Sequence, residues 1–281
     1  MAPQTLSFWF EFASPYSMIS ALRLFRALTK QTSTFNTATL QGIPSCQIPD
    51  LSEVDVVYMP ILLGPIFKAS GQQMLPNVQV PLKGKYMFHD VERTLNLLGC
   101  SGFPRSRPAT WPPNTVLPAR MAWLLAQGPE YIHAVDAESN LRPSTASEKQ
   151  QKSVLKVVAE FVWRVYEAEF IANENIGDPD VMARLWDKFV VQGFKQDGNV
   201  QMPNGGRAVA LANLEVVKSG LKGATQEAIA NGLFGAPMFT TDDGDMYWGN
   251  DRLLDAFAHC KIQERINQPL GFCAQNRQPN L

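Results

Sequence analysis

The chain has no excess of charge of either sign and no long apolar run. Across 281 residues, Lys and Arg total 25 and Asp and Glu total 26, so the formal net charge is −1. A balanced charge gives no broad attraction to nucleic acid or to an anionic membrane, and we expect neither as a partner. The longest apolar runs, such as residues 59–63, are far shorter than the ~18 residues that span a bilayer.

Targeting signals are equally scarce. The N-terminus lacks a basic region followed by an apolar core, so no signal peptide is predicted. We therefore expect a cytoplasmic protein, with a mitochondrial or peroxisomal location left open. With 45% hydrophobic and 18% charged residues, the composition is that of a folded globular chain. At ~150 residues per domain, the length predicts about two structural units.

Sulfur and imidazole groups are few and scattered. The chain has four cysteines without a Cys-x-x-Cys pair and three histidines far apart in sequence. This spacing builds no zinc site, and we expect no bound metal. A disulfide framework is not expected in a reducing compartment, so the thiols are predicted to be buried or unreactive.

Strand and helix signals begin at the N-terminus. Residues 6–12 are rich in aromatic side chains and are typical of a buried strand. Ser14 then stands at an N-cap position and Pro15 at the first position of a helix that runs to about Lys30. Residues 34–40 alternate and favour a second strand, parallel to the first. Residues 42–60 contain proline and acidic side chains, and are predicted to be a surface loop or excursion.

The middle of the chain is predicted to be helical, and the last third returns to strands. Helices are expected at residues 85–98, 118–127, from 147 and from 178 to a stop at Gly193, with a polar loop at 195–207. A helix at 225–233 then precedes a hairpin with strands at 237–241 and 246–248, and a last helix from 249. This βαβ, helical insert, αββα order is the plan of an interrupted thioredoxin fold.

Two motifs at the ends of this plan carry a family resemblance. Residues 12–17, Phe-Ala-Ser-Pro-Tyr-Ser, resemble a signature of kappa-class glutathione transferases and 2-hydroxychromene-2-carboxylate isomerases. Residues 234–237, Phe-Gly-Ala-Pro, and 248–252, Trp-Gly-Asn-Asp-Arg, resemble a second signature. Residues 64–72 and 83–87 are also similar to the kappa class. The resemblance implies an α/β, DsbA-like thioredoxin fold at residues 1–62 and 222–265, a helical insert at 63–221 and a C-terminal tail at 266–281.

The resemblance implies a role for Ser14. Oxidoreductases with this fold have a Cys-x-x-Cys pair at the start of the first helix, where the helix dipole lowers a thiol pKa. This chain has Ser14-Pro15-Tyr16-Ser17 there, so dithiol chemistry is lost and the anion-favouring helix end is kept. The resemblance implies that Ser14 stabilises the thiolate of bound glutathione, next to Pro15 and Tyr16. The alternative is that Ser14 is only an N-cap.

Further ligand-binding residues are implied by the same family. Pro237 is expected to be cis, so that Ala236 can pair with the glutathione backbone; the alternative is a strand-starting proline. Asn250 and Asp251 are implied to bind the γ-glutamyl end, and they can also cap the last helix. The resemblance also implies that two residues of the insert, Lys68 and Gln72, contact glutathione. The alternative for Lys68 is a solvated surface charge. Gln72 stands where the kappa pattern has an asparagine.

Together these motifs predict a glutathione-dependent enzyme, a kappa-like transferase or an isomerase. Its thiolate would attack a hydrophobic, conjugated electrophile such as a secondary metabolite, and a homodimer is expected. Besides Gln72, three residues depart from the kappa pattern: Glu11 replaces an aspartate, and Ala13 and Ala236 replace larger residues. The departures at Gln72 and Ala236 keep open a glutathione-independent tailoring enzyme, or a small-molecule-binding scaffold on the same fold. A disulfide oxidoreductase is disfavoured by the missing cysteines.

Overall fold

The fold is built on one mixed four-stranded sheet. The computed structural model describes residues 4–31, 48–51, 54–72, 79–100, 108–137, 148–198 and 200–267. The strands are β1 (Gln4–Phe10), β2 (Val54–Pro60), β3 (Met238–Thr241) and β4 (Met246–Trp248). Their order is β2-β1-β3-β4, with β2 parallel to β1, and with β3 antiparallel to both β1 and β4.

The parallel partner of β1 is a strand that the sequence analysis did not predict. Val54–Pro60 lies inside the stretch predicted to be a loop, whereas residues 34–40 fall outside the described residues. The observed strand pairs Gln4 with Val54 and Phe10 with Pro60. It alternates buried Val54, Val56 and Tyr58 with exposed side chains, as a strand with one face on a core does. Of the rest of this predicted excursion, residues 42–47, 52 and 53 lie outside the described residues.

Helices cover both faces of the sheet. On the Phe8 and Phe10 face lie α1 (Pro15–Gln31) and the last helix, α11 (Leu253–Asn267). On the Trp9 face lie α2 (Leu63–Ala69) and α10 (Glu215–Ala230), around a smaller apolar cluster. Successive β1 side chains point to opposite faces, and this alternation lets one strand organise both layers.

The helices between β2 and β3 extend the core away from the sheet. They are α3 (Pro81–Leu97), α4 (Val116–Ala126), α5 (Pro129–Asp136), α6 (Glu148–Phe170), α7 (Pro179–Leu185), α8 (Gln192–Gly198) and α9 (Gly205–Ala212), and a π-helical turn (Trp186–Val191) joins α7 to α8. Helix α6 packs along α1, and one apolar core continues from the sheet into these helices. The predicted domain boundary at residue 221 falls inside α10 and stays a prediction.

Several predicted helix ends agree with the structure, but the helix predicted at residues 225–233 is observed at Glu215–Ala230. Gly99 and Gly128 follow α3 and α4 with positive φ angles, and Asp178 caps α7 by accepting from the Asp180 N–H at 2.8 Å. The predicted stop at Gly193 was wrong, because the helix continues through the π turn to Gly198. A Cβ at Gly193 would lie 3.2 Å from Val157, so this glycine permits close packing on α6. In the described part of the chain, no helix is both long and apolar enough to span a membrane.

Candidate active site

Four chain segments meet at one edge of the sheet. β1 and β2 both end there, and α1 and α2 begin. β3 runs the other way, so the residues before it, Ala236 and Pro237, reach the same edge. β4 ends there too and leads into a 3-10 turn, Asn250–Arg252. The sheet topology therefore brings both sequence signatures to one place.

Ser14 caps α1 and also binds the second signature. Its Oγ accepts from the Ser17 N–H at 3.2 Å, and its carbonyl accepts from the Met18 N–H at 3.1 Å. The Ser14 hydroxyl donates to the carbonyl of Ala236 at 3.0 Å. The N-cap interpretation of Ser14 is thus correct in geometry, and the hydroxyl also links residues 222 positions apart. This does not exclude a ligand, since the hydroxyl can turn from one acceptor to another.

The loop before β3 forms one wall of the site. The Ala236–Pro237 peptide bond is cis, as the family resemblance implied. Phe234 and Trp248 meet edge to face beside it, with ring centroids 5.1 Å apart. A Cβ on Gly235 would come within 2.7 Å of the Trp248 Nε1, so glycine lets the indole lie directly over this loop. Both aromatic rings are partly exposed at the site.

The two residues after β4 have different environments. Asn250 is buried, and its carbonyl and Oδ1 accept from the Arg23 guanidinium at 2.7 and 3.1 Å. The side chain of Asp251 is 76% exposed, with its Oδ2 3.7 Å from Arg252. Asn250 therefore anchors the turn to α1, and Asp251 is the one that presents a carboxylate to solvent.

Arg23 is a positioning residue that the sequence did not reveal. It lies two turns into α1 and is only 3% exposed. Burial lowers its pKa to about 10, against the opposing effect of the Asp251 charge. Its partner Asn250 is 227 residues away, so no local pattern could have identified the pair.

Tyr16 forms the wall on the other side of Ser14. Its hydroxyl donates to Asp90 Oδ2 on α3 at 2.8 Å. Burial, this hydrogen bond and the Asp90 charge raise the pKa of Tyr16, so the phenol keeps its proton. A cavity of about 400 Å³ opens here, lined by Tyr16, Leu82, Lys83, Tyr86 and Met87. It is largely apolar, with one cationic side chain at its border.

Lys68 and Gln72 lie on the other face of the sheet. Lys68 is exposed near the end of α2, and the Gln72 N–H donates to the Phe67 carbonyl at 2.7 Å. Phe67 packs in the same apolar cluster as Ala236, so this segment adjoins the loop that contains the cis peptide bond. The structure thus brings Ser14 into contact with Ala236, places Tyr16 in the first turn of α1 beside Ser14, and leaves Lys68 and Gln72 at the margin.

A buried carboxyl lies in the turn between β1 and α1. Glu11 is 4% exposed, and its Oε2 accepts from the Ala13 N–H at 2.7 Å. Burial raises the pKa of Glu11 to about 7, although hydrogen bonds from Thr115 and Ala13 oppose the shift. The sequence comparison singled out Glu11 only as a departure from the family pattern. Its burial is set by Thr115 and Tyr166, which are distant in sequence.

Comparison with known proteins supports the fold. A family model for the DSBA-like thioredoxin domain matches residues 134–259, fewer than half of the chain and without Ser14. No curated protein matches the sequence. A solved 2-hydroxychromene-2-carboxylate isomerase is similar at 19% identity and a TM-score of 0.58, covering 94% of this chain and 97% of that one.

A second solved structure gives the same fold. The cytosolic disulfide reductase DsbM from Pseudomonas aeruginosa is similar at 14% identity and a TM-score of 0.50, covering 93% of this chain and 99% of that chain. At these identities the likeness concerns the fold alone. The chain therefore has a DsbA-like thioredoxin fold, with a four-stranded mixed sheet and mostly helical content.

Proposed function

We propose that the protein is a glutathione-dependent enzyme, a kappa-like transferase or an isomerase, that acts on a hydrophobic, conjugated electrophile. The observation that carries this proposal is the position of the Ser14 hydroxyl. It lies at the N-terminus of α1, 3.0 Å from the carbonyl that precedes the cis proline. There it can donate to a sulfur anion held between α1 and the Ala236–Pro237 loop.

The first turn of α1 leaves one donor for such an anion. Pro15 has no N–H, and the N–H groups of Ser17 and Met18 bind Ser14. Within the described part of the chain, the Tyr16 N–H has no acceptor. This N–H and the Ser14 hydroxyl, together with the helix dipole, would favour the thiolate over the thiol. Because neither Ser14 nor Ser17 has sulfur, the reactive sulfur must come from the ligand.

The remaining implied residues have defined places in this proposal. The exposed Asp251 carboxylate would pair with the γ-glutamyl ammonium, and the buried Asn250 would hold the turn in place. Ala236 would pair with the ligand backbone through its own backbone, like an added strand. Pro15 would border the sulfur. Lys68 and Gln72, at the margin, would contact the outer end of the tripeptide.

The cavity beside Tyr16 would hold the electrophile. It is largely apolar and has two tyrosine rings in its lining, which suits a flat, conjugated molecule. As a transferase, the thiolate sulfur would form a bond to an electrophilic carbon while the π bond at that carbon breaks. The resulting enolate would take a proton from solvent, and the conjugate would leave. As an isomerase, the sulfur would add to a conjugated carbon, a bond would rotate, and glutathione would be expelled unchanged.

Calorimetric titration with glutathione tests the first step. We expect saturable binding to the wild type and to Ser14→Ala, with thiolate absorbance reduced in the variant. Incubation with a panel of enones and epoxides, followed by mass spectrometry, then separates conjugates from isomers. No binding of glutathione, or turnover that is the same without it, would contradict the proposal. Gel filtration of the same samples tests the expected homodimer.

A glutathione-independent activity on the same fold is the second candidate. It is favoured by one contact, because the Ser14 proton already has an acceptor in the Ala236 carbonyl. A hydroxyl committed to the protein would leave the site without a thiolate donor. The titration decides between the two candidates, since only the first predicts binding of glutathione.

A further inference from the structure

The carboxyl of Glu11 lies directly behind the proposed anion site. Its Oε2 is 2.7 Å from the Ala13 nitrogen, and Ser14 is the next residue. Consecutive backbone nitrogens are less than 4 Å apart by covalent geometry, so this oxygen lies within about 7 Å of the Ser14 nitrogen. The Glu11 carbonyl also accepts from the Ser14 N–H at 3.0 Å. The carboxyl and Ser14 are thus held in one short turn.

The groups that face Glu11 are neutral donors. The Tyr166 hydroxyl, from α6, donates to the Glu11 carbonyl at 3.0 Å. Thr115, just before α4, contributes a side-chain hydrogen bond to the carboxyl. Within α1, Ser17 lies near the Tyr166 hydroxyl, and Tyr58 of β2 is also close to it. Among the described residues, no cation forms an ion pair with Glu11. Ionised Glu11 would therefore be an uncompensated negative charge.

We propose that Glu11 is a positioning residue that controls the charge at Ser14. The negative charge of its carboxylate and that of an anion bound at Ser14 repel each other, so the two groups together keep one proton around neutral pH. The inference rests on the proposed function for the identity of that anion, a glutathione thiolate. The first proton is lost to solvent from either group, and the single negative charge that results is shared between the sulfur and the Glu11 carboxyl. The second proton leaves at higher pH, when the remaining protonated group ionises against that charge.

Two considerations place this coupling near neutral pH and set its size. Burial raises the pKa of Glu11 to about 7, close to where a stabilised thiol would ionise. A sulfur on the side chain of residue 14 lies within about 10 Å of this carboxyl, and two unit charges about 10 Å apart, at an effective dielectric constant near 20, separate the two ionisations by about one pKa unit. Interacting groups of this kind titrate as a pair.

An introduced thiol tests the coupling without glutathione. Ser14→Cys places a sulfur at the start of α1, and its pKa follows from the pH dependence of its alkylation, measured on that peptide by mass spectrometry. We expect Ser14→Cys/Glu11→Gln to have a thiol pKa about one unit lower than Ser14→Cys, with a single ionisation step.

Glu169→Gln in the Ser14→Cys background is the matched control. Glu169 is another buried carboxyl whose pKa burial raises to about 7, but it faces Thr110 and Ile176 instead of the turn before α1. The Glu169→Gln substitution should leave the pKa of the introduced thiol unchanged. The same pKa in the Glu11 and Glu169 double variants would overturn the inference.

A second readout does not need the Glu11 variant to fold. In protein labelled with ¹³C-glutamate, the Glu11 carboxyl should titrate about one unit higher in Ser14→Cys than in the wild type, because coupling is reciprocal. An unchanged Glu11 titration would also overturn the inference. If the introduced thiol couples to Glu11 but glutathione does not bind the wild type, the proposed function fails and the electrostatic coupling stands.

Discussion

Both edges of the sheet carry clusters of polar and charged side chains, but the two clusters differ in how their groups are hydrogen-bonded and exposed. The edge where α1 begins is the candidate site. The opposite edge holds the β3–β4 turn, where Asp243 and Asp245 meet His259 of α11. Clusters of histidine and carboxylates often mark functional sites, so the residue types alone do not separate the two edges.

The polar groups of the hairpin edge bind one another. His259 Nε2 lies 2.8 Å from Asp243, and its Nδ1 lies 2.7 Å from the Tyr247 hydroxyl. Asp243 also accepts from Thr241 at 2.5 Å, and Asp242 accepts from the Thr5 N–H at 2.7 Å. Hydrogen bonds from Thr241 and His259 lower the pKa of Asp243. The cluster fastens α11 to the sheet.

The site edge is organised the opposite way. Its buried residues, Arg23 and Asn250, are bound to each other, whereas the Asp251 carboxylate is exposed to solvent. A closed polar cluster stabilises a fold, and an open one supported by a buried anchor can also bind a ligand. Changes at the site edge should therefore alter binding, and changes at the hairpin edge should alter stability.

The largest expected effect on ligand affinity is at Asp251. Asp251→Asn is nearly isosteric but removes the charge proposed to meet the γ-glutamyl ammonium, so glutathione affinity should fall about tenfold or more. Asp255→Asn is the matched control, because Asp255 is another exposed carboxylate that pairs with Arg252 one turn later. Calorimetry on both variants measures the effect. Equal affinities in the two would return Asp251 to a purely structural role.

A pH effect on stability should follow from Glu11. Its pKa is about 7 in the folded protein, against 4.5 for an ordinary glutamate, so the folded state binds this proton more tightly. The stabilising contribution is therefore complete below pH 4.5 and is lost as the pH rises through 7. The free energy of unfolding should fall by up to about 3 kcal/mol over this range.

Urea unfolding at a series of pH values, in the wild type and Glu11→Gln, measures this loss. The variant should have a flatter pH profile, with the remaining slope coming partly from Glu169, whose pKa is raised by burial as well. Parallel profiles in the two proteins would show that Glu11 ionises normally in the folded state.

Ser14→Ala should act on the charge of the thiol more than on its binding. A hydrogen bond to a charged group contributes about 1.5–3 kcal/mol, so the pKa of bound glutathione should rise by about one to two units. Thiolate absorbance against pH measures it. Ser20→Ala is the control, since that hydroxyl donates to the Tyr16 carbonyl within α1. A bound thiol that ionises at the wild-type pH in Ser14→Ala would remove Ser14 from the reaction.

The smallest effect is expected at the hairpin edge. Tyr247→Phe removes one hydrogen bond to His259 and should lower the free energy of unfolding by about 0.5–1.5 kcal/mol. Glutathione affinity should not change. Denaturant unfolding and calorimetry on the same sample give both values. A clear loss of affinity would mean that the two edges are coupled, and the contrast between them would fail.

Elements with strong local signals could be predicted from the sequence. The Ser14 cap, the start of α1, the β3–β4 hairpin and the glycines after α3 and α4 all depend on neighbouring residues. β2 was missed because Asp55 and the acidic residues before it suggested a loop. The alternation of buried Val54, Val56 and Tyr58 was present but was given too little weight.

The candidate site was predictable only in part. The two signatures indicated Ser14 and Ala236, and the structure brings both into contact. The partners that define the environment of the site could not be found in this way. Asp90 lies 74 residues from Tyr16, and Asn250 lies 227 residues from Arg23. Such contacts depend on how the helices pack, which no local pattern in the sequence records.

The contact between Arg23 and Asn250 lets α1 fix the distance between two parts of the proposed site. The same rigid helix carries Ser14 at its N-terminus and, through Arg23, fixes the turn that presents Asp251. The separation between the sulfur position and the ammonium position is then set by one helix and cannot adjust to the ligand. A thiol ligand with a different distance between its sulfur and its ammonium group would reach either Ser14 or Asp251, but not both. We therefore expect the site to select glutathione over free cysteine and over cysteinylglycine.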